Sequence, residues 1–138
     1  MSEQNKTVAR RAVEECFNKG NLAVVNEIFA SNYVDHNAPP GLPPGVEGFK
    51  QLVTMYRNAF PDVRVTIDDV ITEGDKVVIR WTGRGTHKGN LMSVAPTGKQ
   101  VTVTGIGIDR FANGKIVEHW ECFDQLGMMQ QVGAIPTS

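Results

Sequence analysis

The stretch Val101-Thr-Val-Thr-Gly-Ile-Gly-Ile-Asp-Arg-Phe-Ala-Asn-Gly-Lys-Ile-Val-Glu-His-Trp120 contains two runs in which apolar residues alternate with polar or small ones. Alternation with a period of two is typical of strands that bury one face. The two runs are joined by Ala112-Asn-Gly114, and Asn-Gly is the strongest short signal for a hairpin turn. The stretch therefore predicts two long antiparallel strands.

A second hairpin is predicted upstream of the first. Residues 63–67 and 76–81 show the same alternation, and Glu73-Gly-Asp75 supplies the turn between them. Strands that reverse through tight turns are antiparallel, so we predict a four-stranded meander. Four glycines fall at matching stages of the long strands, where a missing side chain permits bulges and strong bending: Gly83, Gly85, Gly105 and Gly107.

Three helices are predicted before the sheet. Apolar residues recur at helical spacing over residues 6–19, over a second segment that follows Asn21 and ends before Ser31, and over residues 46–60. A short extended piece, Tyr33-Val-Asp-His36, follows the second helix. The fold class is thus α+β: residues 1–138 form one domain in which three N-terminal helices pack on a curved antiparallel sheet, and such a sheet encloses a hollow cone.

The composition excludes several classes of function. The chain has 14 Lys and Arg against 15 Asp and Glu, without runs of either sign, so a nucleic-acid partner is not expected. No apolar run approaches the length of a membrane span, and the first residues lack the apolar region of a signal peptide, so we expect no membrane contact and a cytoplasmic location. Cys16 and Cys122 are expected to be buried, reduced thiols.

Several short motifs resemble those of one family. They occur in the following order along nearly the whole chain: Tyr33-Val-Asp-His36, Gly45-Val-Glu-Gly48, Gly85-Thr-His-Lys-Gly89, Pro96-Thr-Gly-Lys99, Asn113-Gly-Lys-Ile-Val-Glu-His-Trp120, Phe123-Asp-Gln-Leu-Gly127 and Gln131-Val-Gly133. Together they resemble the SnoaL-like polyketide cyclases of the nuclear transport factor 2-like superfamily. The resemblance implies a cone-shaped α+β barrel, although fold alone does not settle function.

The resemblance also implies a catalytic residue. In cyclases of this type a pocket aspartate acts as general acid and base in an intramolecular aldol condensation, and Asp124 matches its place at the end of the last strand. A carboxylate at the closed end of an apolar cone loses hydration, which raises its pKa and makes it a better proton acceptor. The alternative is that Asp124 caps a final helix beginning near Gln125, and the two roles are compatible.

Strand parity predicts the neighbours of Asp124. In an unbroken strand Glu118, Trp120 and Asp124 share one face, whereas His119 lies on the other, although a bulge would reverse part of this assignment. We therefore predict that Trp120 forms an aromatic wall of the substrate site. His119 is interpreted either as a half-buried residue at a dimer contact or, from the resemblance, as a catalytic proton carrier.

Further residues are predicted to line the cone. His36 precedes a proline-rich loop and is interpreted either as a catalytic donor or proton shuttle, or as a partner of Asp35. His87 begins a long connection, residues 90–98, that can serve as a lid or a dimer element. We predict that the substrate-binding group, besides Trp120, consists of Tyr33, Asp35, Tyr56, Trp81 and His87.

The predicted function is that of a cofactor-independent cyclase or isomerase. It acts on a small hydrophobic, polyketide-like carbonyl compound through Asp-mediated enolisation and intramolecular aldol-type ring closure. Phosphate loops, GxSxG elbows, HExxH motifs and Cys/His clusters are absent from the sequence, so neither a cofactor nor a metal is expected. The alternatives are a binding protein that holds a small molecule or a partner in the same apolar cone, and another lyase or hydrolase of the superfamily.

Two surfaces carry further expectations. The outer face of the meander is too apolar for a fully solvated sheet and is expected to form a homodimer through Val78, Thr102, Thr104, Ile106 and Ile108. The loop Asn37–Gly45 contains four prolines and is expected to be an ordered, exposed rim that controls access to the cone.

Overall fold

A computed structural model describes residues 2–136 and contains four α-helices and a five-stranded sheet. The α-helices are α1 (Ser2–Arg11), α2 (Val25–Ile28), α3 (Gly45–Ala59) and α4 (Gln125–Gln131). The strands are β1 (Phe29–Asp35), β2 (Arg64–Glu73), β3 (Lys76–Thr86), β4 (Gln100–Ala112) and β5 (Lys115–Phe123). Within residues 2–136 no helix has both the length and the apolar character needed to cross a membrane.

The sheet has the order β1-β5-β4-β3-β2. Strands β2 to β5 form the predicted antiparallel meander, and the extended piece before the proline-rich loop adds β1, which runs parallel to β5. The sheet is open, with β1 and β2 at its edges. Its inward face packs on the helices, because buried residues of α3 such as Val53 form one core cluster with Val77 and Ile79 of β3.

The first helical segment is longer and less regular than predicted. Helix α1 continues as a π-helical segment, Ala12–Asn18, whose last residue pairs with the sheet. The amide of Asn18 bonds both the N–H and the carbonyl of Val65, and Arg57 donates to the carbonyl oxygen of Phe17 at 2.6 Å. These bonds attach the end of the helix to strand β2 and to α3.

The prediction that the second helix continues to residue 30 is wrong. A 3₁₀ turn, Leu22–Val24, leads into α2, and the chain becomes extended at Phe29 because Phe29 pairs with Ile116 of β5. The helical spacing of the apolar residues reflects only neighbouring positions, whereas Ile116, the partner of Phe29, lies far along the chain. Tertiary pairing therefore overrides the local pattern.

The bulges that the four strand glycines would permit do not form at these positions. Register between β3 and β4 is continuous through all four, and the bulges lie elsewhere, between Ile67 and Asp69 and at the Arg110–Phe111 step. The glycines instead leave room for neighbouring side chains. A Cβ atom on Gly105 would lie 2.5 Å from Cζ2 of Trp81, and one on Gly107 would lie 2.6 Å from Oε1 of Glu121.

The two cysteines lie in different environments. Cys16 is buried in the helical core, as predicted, but Cys122 is exposed on the outer face of β5. The prediction of a buried Cys122 fails because its neighbour across the strands, Ile106, is itself exposed.

Candidate functional site

A cavity of about 700 Å³ lies between the helices and the inward face of the sheet. This volume is within the range of small-molecule sites. Most of the wall is apolar and includes Phe17, Phe29, Leu52, Val103 and Phe123. A group of polar side chains shares the same wall: Tyr33, Asp35, Asp109, His119 and Glu121. An apolar wall with a few convergent polar groups is the usual composition of a binding or catalytic site.

A bulge in β5 decides which side chains face the cavity. Phe111 pairs with Ile116 and Arg110 pairs with Glu118, so that Val117 has no partner of its own on β4. The extra residue changes the parity of the strand, and Ile116 and His119 both face inward although they are three positions apart. The prediction that His119 faces away from the cavity is therefore wrong.

His119 lies between two carboxylates. Its Nδ1 is 2.5 Å from Oδ1 of Asp109, directly opposite on β4, and its Nε2 is 3.0 Å from Oε1 of Glu121. Desolvation opposes the charged imidazolium, but hydrogen bonds and charges from Asp109 and Glu121 outweigh it and raise the pKa of His119 to about 10. At neutral pH the ring is therefore an imidazolium that donates one hydrogen bond to each carboxylate.

Two aromatic side chains complete this group. Trp81 donates its indole N–H to Oε2 of Glu121 at 2.9 Å, so each oxygen of this carboxylate accepts one hydrogen bond. Burial, together with the charges of Asp35, Asp109 and Glu121, raises the pKa of Tyr33. The Tyr33 hydroxyl therefore stays neutral, and within residues 2–136 it has no hydrogen-bond partner. It can act as a donor to a ligand in the cavity.

The residues that follow β1 form hydrogen bonds with His119 and Glu121 of this group. The backbone N–H of His36 donates to the carbonyl oxygen of His119 at 2.9 Å, and the Glu121 N–H donates to the side-chain oxygen of Asn37 at 2.8 Å. Asn37 also donates its own N–H to Oδ1 of Asp35 at 3.0 Å. The rim loop, which contributes Pro39, Pro40 and other residues to the cavity wall, thus begins directly beside the polar group.

Four residues predicted to line the cavity lie outside its wall: His36, His87, Trp120 and Asp124. Trp120 and His36 face the outer side of the sheet, where their rings stack at 4.9 Å and His36 bonds Glu118 at 2.8 Å. The predicted position of Trp120 is wrong because the parity reversal at Val117 turns it outward. The predicted position of His36 is wrong because it follows Asp35, which pairs with His119 and faces the cavity, so His36 faces the opposite side. The pairing of His36 with Asp35 is not formed.

His87 is fully buried beneath the connection that it begins. Its Nδ1 is 3.0 Å from Oγ1 of Thr97, and within the described part of the chain its Nε2 has no partner. Its predicted place at the cavity is wrong because the ring turns away, against Phe60.

Asp124 is exposed and caps α4, where its Oδ1 accepts the N–H of Gly127 at 2.9 Å. Its predicted position in the cavity is wrong, because β5 ends at Phe123 and the carboxylate turns to the helix terminus. The remaining predicted lining residues, Tyr33, Asp35, Tyr56 and Trp81, are in the wall as expected. The catalytic and substrate-binding roles assigned from the sequence stay predictions.

The sequence predicts that Asp109 pairs with an Arg or Glu on a neighbouring strand rather than doing chemistry, and it gives no role to Glu121 or Asn37. If the strands on either side of the Asn113–Gly114 turn paired without a bulge, Asp109 would lie opposite Glu118. The sequence therefore gives no reason to place Asp109 beside His119. His119 and Glu121, at i and i+2, share one face of the strand, but strand parity without a bulge places that face on the outside. The polar group therefore cannot be predicted without knowing that Val117 is an extra residue in β5.

A family model for SnoaL-like polyketide cyclases matches residues 7–132. The chain belongs to this SnoaL-like family. Aklanonic acid methyl ester cyclase DauD of Streptomyces sp. (strain C5) is 29% identical over 127 residues, which cover 89% of this chain and 78% of DauD. The similarity confirms the resemblance that the sequence motifs indicated.

Solved structures agree with the family assignment. TsrD from Streptomyces laurentii superposes with a TM-score of 0.89 at 25% identity, over 98% of each chain. Wild-type IdmH from Streptomyces antibioticus, a candidate polyketide cyclase, gives a TM-score of 0.81 at 34% identity, over 94% of this chain and 99% of IdmH. The cone-shaped α+β fold of this SnoaL-like domain is thereby confirmed.

Two substitutions of Asp124 test whether its side chain stabilises the protein by capping α4. Asp124→Asn should leave the free energy of unfolding in urea nearly unchanged, because Asn and Asp cap helices equally well. Asp124→Ala should lower it by about 0.5–2 kcal/mol, because the N–H of Gly127 loses its acceptor. An Asn variant as unstable as the Ala variant would contradict the capping role.

The raised pKa of His119 predicts that stability falls as pH rises. The pKa of an unfolded histidine is about 6.5 and that of folded His119 is about 10, so the folded state holds the proton more tightly. This contribution is complete below about pH 6.5 and is lost progressively as pH rises toward the folded value. Between pH 7 and 8.5 the free energy of unfolding should fall by up to about 1.4 kcal/mol per pH unit.

The matched control for this slope is His119→Gln, which cannot take up the proton. Burial raises the pKa of Cys16 to about 11, and this thiol adds its own slope only at higher pH. Subtracting the variant's profile from that of the wild type therefore isolates His119. Equal slopes in the two proteins would show that the ring is not charged.

Proposed function

We propose that this protein is a cofactor-independent cyclase or isomerase that enolises a small hydrophobic, polyketide-like carbonyl compound and closes a ring by an intramolecular aldol-type reaction. The observation that carries the proposal is the Asp109–His119–Glu121 group in the wall of an otherwise apolar cavity. Membership of a polyketide cyclase family supports the same reaction class.

We assign the general base to Glu121. Its side chain is 23% exposed, against 11% for Asp109, so it is the more accessible of the two carboxylates bonded to His119. The imidazolium and the Trp81 indole each donate a hydrogen bond to one of its oxygens and so fix the position of the carboxylate, while Asp109 fixes the ring that orients it. Asp124 is not assigned this role because it lies outside the cavity wall.

The reaction can be followed through these groups. Glu121 removes a proton from the carbon next to a substrate carbonyl, and the electron pair moves to the carbonyl oxygen. The neutral Tyr33 hydroxyl donates a hydrogen bond to the resulting enolate oxygen. The enolate carbon attacks a second carbonyl of the same molecule and forms the new C–C bond. Protonated Glu121 then returns its proton to the alkoxide, so no net proton is gained or lost.

Proton exchange at carbon tests the enolisation step without knowledge of the natural substrate. We expect the wild type to accelerate deuterium incorporation from D₂O into the methyl group of 2-acetylnaphthalene, measured by NMR. Glu121→Gln should slow this enzymatic exchange by roughly 100-fold to 10,000-fold, because the base is lost while the shape is kept. Asp124→Asn, which alters a carboxylate outside the cavity, is the matched control and should exchange like the wild type.

The outcomes separate the candidate functions. Loss of exchange in Asp124→Asn with full activity in Glu121→Gln would overturn the assignment of the base. Tight binding of the ketone by a wild type that does not exchange it would favour the binding protein over the enzyme.

We also propose that two copies pair through the outer face of the sheet. Ile71, Val78, Ile108 and Trp120 are neighbours in register across four strands and form an apolar row. Ile106 beside this row is 49% exposed. A continuous apolar row on an open sheet face favours self-association.

Sedimentation at micromolar concentration should therefore give a dimer of the 15.1 kDa chain. Ile106→Lys should shift the equilibrium toward the monomer, because it places charges in the centre of the contact. Leu126→Lys alters an exposed apolar residue on α4, away from the sheet face, and should leave the dimer intact. A monomeric wild type would refute the proposal.

A further inference from the structure

The connection between β3 and β4 is fixed at its base. His87 donates its N–H to the carbonyl oxygen of Lys99 at 2.9 Å, and Gly98 donates to the carbonyl oxygen of His87 at 2.8 Å. The N–H groups of Lys88 and Gly89 both donate to the carbonyl oxygen of Ala59, at the end of α3. These bonds attach the connection to the helix layer and leave it little freedom to move as a lid.

The middle of the connection is a closed turn. Leu91 and Val94 exchange two backbone hydrogen bonds, of 2.9 and 2.8 Å. The Leu91 side chain is fully buried with Phe60 and Met128, so the turn is anchored in the core. Met92 is the first residue inside this turn.

Met92 has an unfavourable backbone conformation. Its φ of 55° lies in the left-handed region, where a residue other than Gly, Asn or Asp is uncommon. Such strain persists only when the surrounding structure imposes it, and here the anchored turn does so. Glycine would satisfy the same backbone without strain. Packing of the turn therefore gives no reason for a methionine.

The Met92 side chain has a position that packing does not require. It lines the cavity, yet it is 44% exposed, so it lies where the cavity meets solvent. Its neighbour Ser93 is exposed and is not part of the wall. Methionine is flexible and polarisable, and it adapts to apolar surfaces of varied shape. The strained turn thus directs one adaptable apolar side chain toward the mouth of the cavity.

We propose that Met92 is a specificity-determining residue: its thioether at the cavity mouth limits the length of planar ligand that the cavity encloses. This inference rests on the proposed function, because it requires a ligand in the cavity. The ligand class is a neutral fused-ring compound, since the wall around the polar group is apolar and aromatic.

Two matched probes test the proposal: 2-naphthol and 2-anthrol, which differ by one fused ring. Their dissociation constants are measured by fluorescence for the wild type, Met92→Gly and Met92→Trp. We expect the Gly variant to change the ratio of the two constants by about tenfold in favour of the longer probe, and the Trp variant to change it in the opposite direction. Ser93→Gly and Ser93→Trp are the controls in the same turn and should keep the wild-type ratio.

Thermal unfolding supplies a second readout. A residue that only packs the turn would lower the melting temperature when its side chain is removed. Met92→Gly should instead leave the melting temperature unchanged or raise it, because glycine relieves the left-handed strain. Altered selectivity without loss of stability is the expected signature of a residue kept for ligand selection.

The outcomes keep the two proposals apart. If the wild type binds both probes and the ratio of the two dissociation constants is unchanged in both Met92 variants, the proposed role of Met92 is wrong. The proposed function is not affected by that result. A lower melting temperature in Met92→Gly, with the wild-type ratio retained, would assign the residue to packing. Absence of binding of both probes to the wild type would overturn ligand binding in the cavity, and this inference with it.

Discussion

One extra residue in β5 decides the chemistry of the cavity. Val117 has no partner of its own on β4, and the strand therefore changes parity between Ile116 and Glu118. Before the bulge, Ile116 faces inward. After the bulge, His119 and Glu121 face inward. Without the bulge, Glu118 and Trp120 would face the cavity, and the imidazole would be on the outer surface.

The inward position of His119 also depends on the residues that surround its ring. A half-buried imidazolium needs partners for both N–H groups, and Asp109 on β4 and Glu121 on β5 supply them. Trp81 fixes the second oxygen of Glu121, and Gly107 leaves the space that the carboxylate occupies. These features together fix the position of the Glu121 carboxylate in the wall of an apolar cavity, where the proposed general base needs to be.

Much of the fold could be predicted from local patterns, whereas the site depends on register. The Asn113–Gly114 hairpin and the four-stranded meander follow from alternation and turn chemistry, and both are confirmed. The end of α2 could not be placed, because Phe29 leaves the helix for a partner almost ninety positions away, Ile116. Trp81 and Tyr33 are predicted from the sequence to line the cavity, and both are in its wall. The grouping of Asp109 and Glu121 around His119 could not be predicted, because a single unpaired residue exchanges the two faces of a strand and leaves no mark in the hydrophobic pattern.

The arrangement of the polar group depends on a charged His119, which an NMR titration of its ring in the free protein, with ¹⁵N-labelled histidine, measures. The titration midpoints are assigned by comparison with His119→Gln. We expect both ring nitrogens to carry protons at pH 7.5 and the pKa of His119 to lie well above the ordinary histidine value, at about 10. A pKa of His119 at or below about 6.5, with a neutral ring at pH 7.5, would contradict this expectation.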